Sequence, residues 1–96
     1  MASVRYLPSA LEDLDRLAEF LRESDPAAAT DTARLILDSI RVLATHPLIG
    51  RPAGPNRREL VIYRGRTGYL TQYRYEHQGD EVVVAAIRHQ READRE

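Results

Sequence analysis

The chain contains no cysteine and no lysine. Without cysteine, disulfides and thiolate metal sites are excluded. Without lysine, all fourteen basic residues are arginine, which keeps its proton and cannot be tuned into a general acid or base. No apolar run approaches the ~20 residues that a membrane helix needs. The opening MASVRYLPSALEDLD lacks the basic-then-apolar order of a secretory signal. The three histidines, His46, His77 and His89, are scattered without metal-ligand spacing. The expectation is a cytoplasmic protein with no metal and no cofactor.

What is present describes one domain over residues 1–96, with 43% hydrophobic and 30% charged residues, ordinary for a globular chain. Its core must be modest, so a protein partner would add appreciable stability. The net charge of −1 conceals an asymmetry. Residues 1–48 carry five arginines against eight acids, a balance of −3, and residues 49–96 carry nine against seven, a balance of +2. Between His46 and Tyr75 six arginines meet one acid, Glu59.

The pattern along the chain predicts an α+β fold in the order β-α-α-β-β-β. SVRYL reads as a short strand with Val4 and Tyr6 on one face. Ser9 and Glu12 have capping-box form, so a helix is expected from about Ser9 to Ser24, with Leu11, Leu14, Leu17, Ala18 and Leu21 as its apolar stripe. Asp25-Pro26 starts a second helix, striped by Ala33, Ile36, Leu37, Ile40, Leu43 and Ala44, that stops before Pro47. The short gap between the helices implies an antiparallel hairpin. PLIGRPAGPNRR, with three prolines and two glycines, is a loop. RELVIY, YLTQYRYE and EVVVAAI then form three strands, the last covered on both faces. The helical hairpin is expected to pack on one face of a small, mainly antiparallel sheet. The end of the chain, AAIRHQRE from Ala85 to Glu92, delivers two arginines around a histidine directly after that strand.

The element order, the HPLIGRP loop, RREL, GYLTQYRY and the ending IRHQRE together resemble the RelE/ParE superfamily, toxins of bacterial type II toxin–antitoxin systems, over Val4 to Glu92. The resemblance implies a cognate antitoxin partner and a toxin–antitoxin hetero-oligomer. It also implies one of two targets. RelE-like members cleave mRNA on the ribosome at a basic, metal-free site, whereas ParE-like members bind DNA gyrase. RelE-like toxins place an arginine after the GY of the middle strand, where this chain has Leu70. Loss of one preorganised donor of that kind typically costs about 100–1000-fold in rate. Arg74 lies four residues on, about 13 Å along a strand, and cannot substitute. Its QYRY context and the HQR ending resemble the ParE-like branch. A pI near 6.3 is low for a protein whose affinity for RNA rests on counterion release.

The resemblance therefore implies a ParE-like gyrase inhibitor acting by binding, with target contacts at Arg74, Arg88, His89 and Arg91. Antitoxin contacts are expected at Arg51, Arg57, Arg58, Arg64 and Arg66, because helix 1, with Asp13, Asp15, Glu19 and Glu23 exposed, should repel an acidic antitoxin tail. The alternative is a RelE-like endoribonuclease acting on the ribosome and mRNA, with Arg58, Arg74, His89 and Arg91 as phosphate-binding and acid–base groups. A third reading is an inactive antitoxin-binding module. Taken alone, Arg74 also reads as a cross-strand ion pair with Glu59, and His89 as a structural histidine hydrogen-bonding at the strand's exit. Of Tyr63, Tyr69, Tyr73 and Tyr75, most are expected in the core and at its rim.

Overall fold

The computed structural model describes residues 1–91, so Glu92, at the end of the terminal motif, lies outside the described residues. The elements are β1 (Ser3–Tyr6), α1 (Pro8–Arg22), α2 (Pro26–Arg41) with a 3-10 turn (Val42–Ala44), β2 (Arg51–Pro52), β3 (Arg58–Arg64), β4 (Thr67–Glu76) and β5 (Glu81–His89). They build one sheet in the order β1-β5-β4-β3-β2. Only the β1–β5 pair is parallel. The helical hairpin and the mainly antiparallel sheet are as the sequence predicts, and β2 is an addition of two residues inside the proline-rich loop.

The second helix begins where expected: Asp25 is its N-cap, its carboxylate accepts from the Ala28 N–H at 3.1 Å, and Pro26 takes the first turn. The first helix does not. Leu7 still pairs with β5, donating its N–H to the Val84 carbonyl at 2.9 Å, and Pro8 starts the helix immediately with its preset φ. Ser9 is therefore already helical and caps nothing. Its hydroxyl donates to the Ala85 carbonyl at 2.8 Å. Leu11 is 48% exposed because it sits about 100° around the helix axis from Ala10, the centre of the buried face with Leu17. Asp13 is half-buried rather than exposed: its Oδ2 accepts the Ile87 N–H at 3.0 Å.

The core lies between the hairpin and one face of the sheet: Ala10 and Leu17 from α1, Ile36 and Ile40 from α2, and Ile62, Tyr69, Tyr73, Val82, Val84 and Ile87 from the strands. In β5 the alternation changes phase. Gln72 faces Ala86 and Tyr73 faces Val84, so Ala85 is an extra, bulged residue. Val82 and Val84 point at the helices before it, and Ile87 does so after it. Val83, on the opposite face, is fully buried too, so β5 is covered on both sides as its apolar run predicts.

The loop after α2 is tied down by one phenol. The Tyr73 hydroxyl donates to the Pro47 carbonyl at 2.8 Å and accepts the Gly50 N–H at 2.9 Å. A Cβ on Gly50 would sit 2.6 Å from that hydroxyl and 2.8 Å from the Glu59 carbonyl, so the approach requires glycine. Burial pushes the Tyr73 phenol above its ordinary pKa, while the Gly50 amide and the Arg58 guanidinium pull the other way. Tyr73→Phe keeps the ring but strands a buried N–H. It is expected to cost about 1–3 kcal/mol in urea unfolding at unchanged m-value. A midpoint equal to that of the parent chain would show that the tie contributes nothing.

Candidate functional site

The bulge at Ala85 decides which side chains reach the end of β5. By setting Ile87 toward the helices it places His89 on the same side, opposite Tyr69, and turns Arg88 to the outer face opposite Leu70. The His89 ring meets the buried Tyr69 ring edge-on, with centroids 5.5 Å apart. Its Nδ1 accepts the Arg91 N–H at 3.0 Å, which puts the hydrogen of the neutral ring on Nε2. His89 is thus a strand-exit residue that holds the following turn of chain. Gln90 lies over Gly68, where any Cβ would collide with its side-chain amide.

These residues wall a cleft of about 420 Å³ between the β3–β4 turn and the β5 exit, lined by Arg66, Thr67, Gly68, His89, Gln90 and Arg91. The two arginines come from opposite ends of the sequence motif set. Arg66, expected among the antitoxin contacts, joins His89 and Arg91. Thr67, Gly68 and Gln90 were not singled out by the sequence. The one signal for them is the glycine before Tyr69, which leaves room for a side chain from the neighbouring strand.

The remaining expected site residues are elsewhere. Arg58 sits opposite Tyr73 and donates from one guanidinium nitrogen to the Gly50 carbonyl at 2.7 Å and the Leu48 carbonyl at 3.0 Å. It holds the loop that Tyr73 holds. Arg74 pairs with Glu76 at 2.9 Å, not with Glu59. Glu59 is occupied by Arg51 at 3.1 Å and by Gln72 at 3.3 Å, because Glu59 faces Arg51 and Gln72 directly in the sheet register. Arg5 completes the outer face by pairing with Glu81 at 3.3 Å. The four groups considered for phosphate binding and acid–base chemistry do not converge. Arg58 is level with Tyr73 and His89 with Tyr69, four residues or about 13 Å along the strand, while Arg74 is on the opposite face. Of the four, His89 and Arg91 share a cleft among the described residues.

Arg57 lines a smaller hollow of about 170 Å³ with Arg58, Tyr75 and His77. Arg64 pairs with Thr67 at the mouth of the β3–β4 hairpin. Tyr69 and Tyr73 are core, Tyr75 is at its rim, and Tyr63 is 60% exposed. Among the described residues no group of three or more His, Cys, Asp or Glu side chains could hold a metal ion, and no helix is long and apolar enough to cross a membrane.

An antiparallel hairpin over one face of a five-stranded sheet, with a parallel β1 at one edge and a basic β5 exit, is the architecture of the RelE/ParE superfamily. The chain belongs to that superfamily: residues 4–94 match the family model of the ParE toxin of the type II toxin–antitoxin system parDE. It is 42% identical over 89 residues to Toxin RelE3 of Caulobacter vibrioides, covering 93% of this chain and 95% of that one. It is also 36% identical over 80 residues to Toxin RelE1 of the same organism, covering 83% and 84%. Among solved structures it resembles the chromosomal ParDE system of P. aeruginosa, with a TM-score of 0.77 at 22% identity, covering 93% of this chain and 96% of that chain. The E. coli RelBE toxin–antitoxin complex is similar at a TM-score of 0.63 and 15% identity, covering 92% and 95%. This chain is a toxin of a type II toxin–antitoxin system.

His89→Gln keeps a neutral hydrogen-bonding side chain but removes any acid–base role. Growth arrest in a strain lacking the antitoxin should then persist to within about tenfold, whereas loss of a general acid–base typically costs about 100–10,000-fold. Arg91→Ala should cost more than His89→Gln. Abolished toxicity in a His89→Gln chain that still folds and still binds antitoxin would assign proton transfer to His89.

Proposed function

We propose that this toxin acts by binding DNA gyrase, as ParE-like members do, and not by cleaving RNA. The observation that carries this reading is the outer face of the sheet. Leu70, where RelE-like chains place an arginine, is only 4% exposed, and Val83, further along the same face opposite Arg74, is fully buried. On that face Arg5 is engaged by Glu81, Arg51 by Glu59 and Arg74 by Glu76, while Arg88 stands opposite Leu70. Guanidiniums already paired with carboxylates, and a leucine in place of an arginine, offer little preorganised stabilisation for charge developing on a scissile phosphate. The target contacts are then at the β5 exit, Arg88, His89 and Arg91, with Arg74 tied to Glu76. Either target places the toxin's action in the cytoplasm.

A second reading has its own support. The two curated relatives carry the name RelE, and the share of each chain that is matched is high. In that reading His89 and Arg91 carry ribosome-dependent mRNA cleavage without Arg58 or Arg74. Inhibition of gyrase supercoiling by the pure toxin is the expected outcome. Codon-specific cleavage on translating ribosomes with unimpaired supercoiling would replace it with the second reading, and inactivity in both assays with tight antitoxin binding leaves a binding module.

The antitoxin side of the proposal follows from the opposite edge. The two residues of β2 cover β3 only at Arg58 and Glu59, so Leu60 to Arg64 form an open edge. Beside that edge runs a groove of about 260 Å³ lined by Leu35, Ser39, Val42, Leu60, Val61, Ile62 and Tyr63. An antitoxin segment with apolar and acidic residues would fill the groove and face Arg57, Arg64 and Arg66. Arg51 and Arg58 leave this set, since they are committed to Glu59 and to the loop carbonyls. Charge reversal at Arg57 and Arg64 should weaken antitoxin affinity in a salt-dependent way without lowering toxin stability. Equal affinity at low and high salt in the double variant would remove the electrostatic part.

A further inference from the structure

The open part of β3, Leu60-Val61-Ile62-Tyr63-Arg64, lacks the devices that keep sheet edges apart. It has no proline and no bulge against β4, and its one charge, Arg64, stands at the end. The four residues before it are aliphatic or aromatic, types that pair well across strands.

Which backbone groups face outward follows from the β3–β4 hairpin. Arg64 and Thr67 close a two-residue turn, Gly65-Arg66, with Gly65 at φ 60°, so Arg64, Ile62 and Leu60 bond to β4. Glu59, Val61 and Tyr63 turn their N–H and C=O groups the other way. The Glu59 carbonyl agrees with that parity, since it lies 2.8 Å from where a Cβ on Gly50, next to β2, would stand. A second β3, antiparallel and related by a two-fold axis, must set outward groups against outward groups. An axis at Val61 would bring Tyr63 opposite Glu59, a place β2 already fills. An axis at Tyr63 would leave Val61 opposite the turn residue Gly65. An axis at Ile62 sets Val61 opposite Tyr63 twice, with two backbone hydrogen bonds in each pair. The strand from Leu60 to Arg64 then fits between the partner's β2 and its own turn.

Charge agrees with the same placement. Leu35, Ser39 and Val42 form the α2 wall of the groove beside the edge, and the exposed Asp31 and Asp38 border that stripe at helical spacing. Arg64 shares the helix-facing side of β3 with Ile62 and has no carboxylate partner among the described residues. Opposite Leu60 of a second copy, it brings a positive charge toward that acidic border.

We propose that the antitoxin-free chain pairs with a second copy of itself along β3, antiparallel about a two-fold axis at Ile62, joining two five-stranded sheets edge to edge. Under the antitoxin reading above, the same edge is occupied when antitoxin is bound. Self-pairing itself needs only the isolated chain, so its test is independent of where the antitoxin sits.

The test uses the full-length toxin separated from antitoxin. In sedimentation equilibrium its mass should rise with concentration from 10.9 kDa toward twice that value. Val61→Pro removes an outward N–H and spares the β4 ladder. Losing one hydrogen bond from each copy should weaken the dimer about 5–150-fold. Phe20→Ser, at a ring 74% exposed on α1, should leave it unchanged. Cysteine cross-linking reads the register even if the proline variant misfolds, because the chain has no cysteine of its own. Directly opposed residues in a hydrogen-bonded pair have Cα atoms about 5.5 Å apart, within disulfide reach, whereas a separation beyond about 7 Å is not bridged. An equal mixture of Val61→Cys and Tyr63→Cys chains should therefore cross-link, and neither variant should do so alone. A mass that stays at 10.9 kDa at millimolar protein overturns the pairing, as does association unchanged by Val61→Pro or lost on Phe20→Ser. Cross-linking of either cysteine variant alone, without the mixture, overturns the axis at Ile62.

Discussion

One extra residue in β5 governs what this chain can present. Without Ala85 in the bulge, side-chain parity would carry through from Val82 and Val84 to Ala86 and Arg88, and an arginine would be aimed at α1 in place of an aliphatic side chain. A buried unpaired guanidinium is far more costly than the irregularity itself. The bulge is in turn secured from the helix side. Ser9 donates to the Ala85 carbonyl, and Asp13 accepts the Ile87 N–H two residues later. Both helix residues come from the first turns of α1, so the start of that helix and the phase of the last strand are set together. A helix begun two residues later, with Ser9 as its cap, would turn that hydroxyl to the helix N–H groups and leave the bulged carbonyl without its donor.

The arginines divide by the same logic of commitment. Arg58 works inside the fold, satisfying two loop carbonyls beside the Tyr73 hydroxyl. Arg5, Arg51 and Arg74 neutralise carboxylates on the outer face, contacts of about 0–1 kcal/mol each that matter more for the charge of the surface than for stability. Arg57, Arg64, Arg66 and Arg91 have no carboxylate partner among the described residues. Net charge along the sequence cannot distinguish these roles, since the basic stretch between His46 and Tyr75 contains members of all three groups. The division explains how a chain with an unremarkable overall balance carries a locally basic end.

The fold was legible because it rests on patterns of local origin: Asp25-Pro26 at a helix start, apolar spacing along α2, alternation in YLTQYRYE and the continuous apolar run of β5. The misplaced Ser9 cap shows the limit of such patterns. Its hydroxyl had two possible partners, a helix N–H to accept from or the Ala85 carbonyl to donate to, and the long-range one, 76 positions away, prevailed because Leu7 was still engaged with β5. The family was readable as well. Which arginines were free was not, because Glu59 and Glu76 choose their partners by register and strand direction. The cleft itself needed the contact of Gly68 with Gln90, which no spacing in the sequence announces.

The parallel pairing of β1 with β5 also has a temporal meaning. Tyr6 lies beside Val84, so the first strand waits for its only sheet neighbour until nearly the whole described chain has been made. At bacterial-type synthesis rates of about 5–20 residues per second, the separation of 78 positions corresponds to a delay on the order of 4–16 s. Contacts of such sequence separation also close late in folding, after local hairpins have formed. During translation α1 has no β5 to rest on, the bulge has no serine to hold it, and the end of the sheet where Arg66 approaches Arg91 does not exist. Topology thus acts as a timer: the surface at the β5 exit takes shape only after β5 has been made and has paired with the waiting first strand.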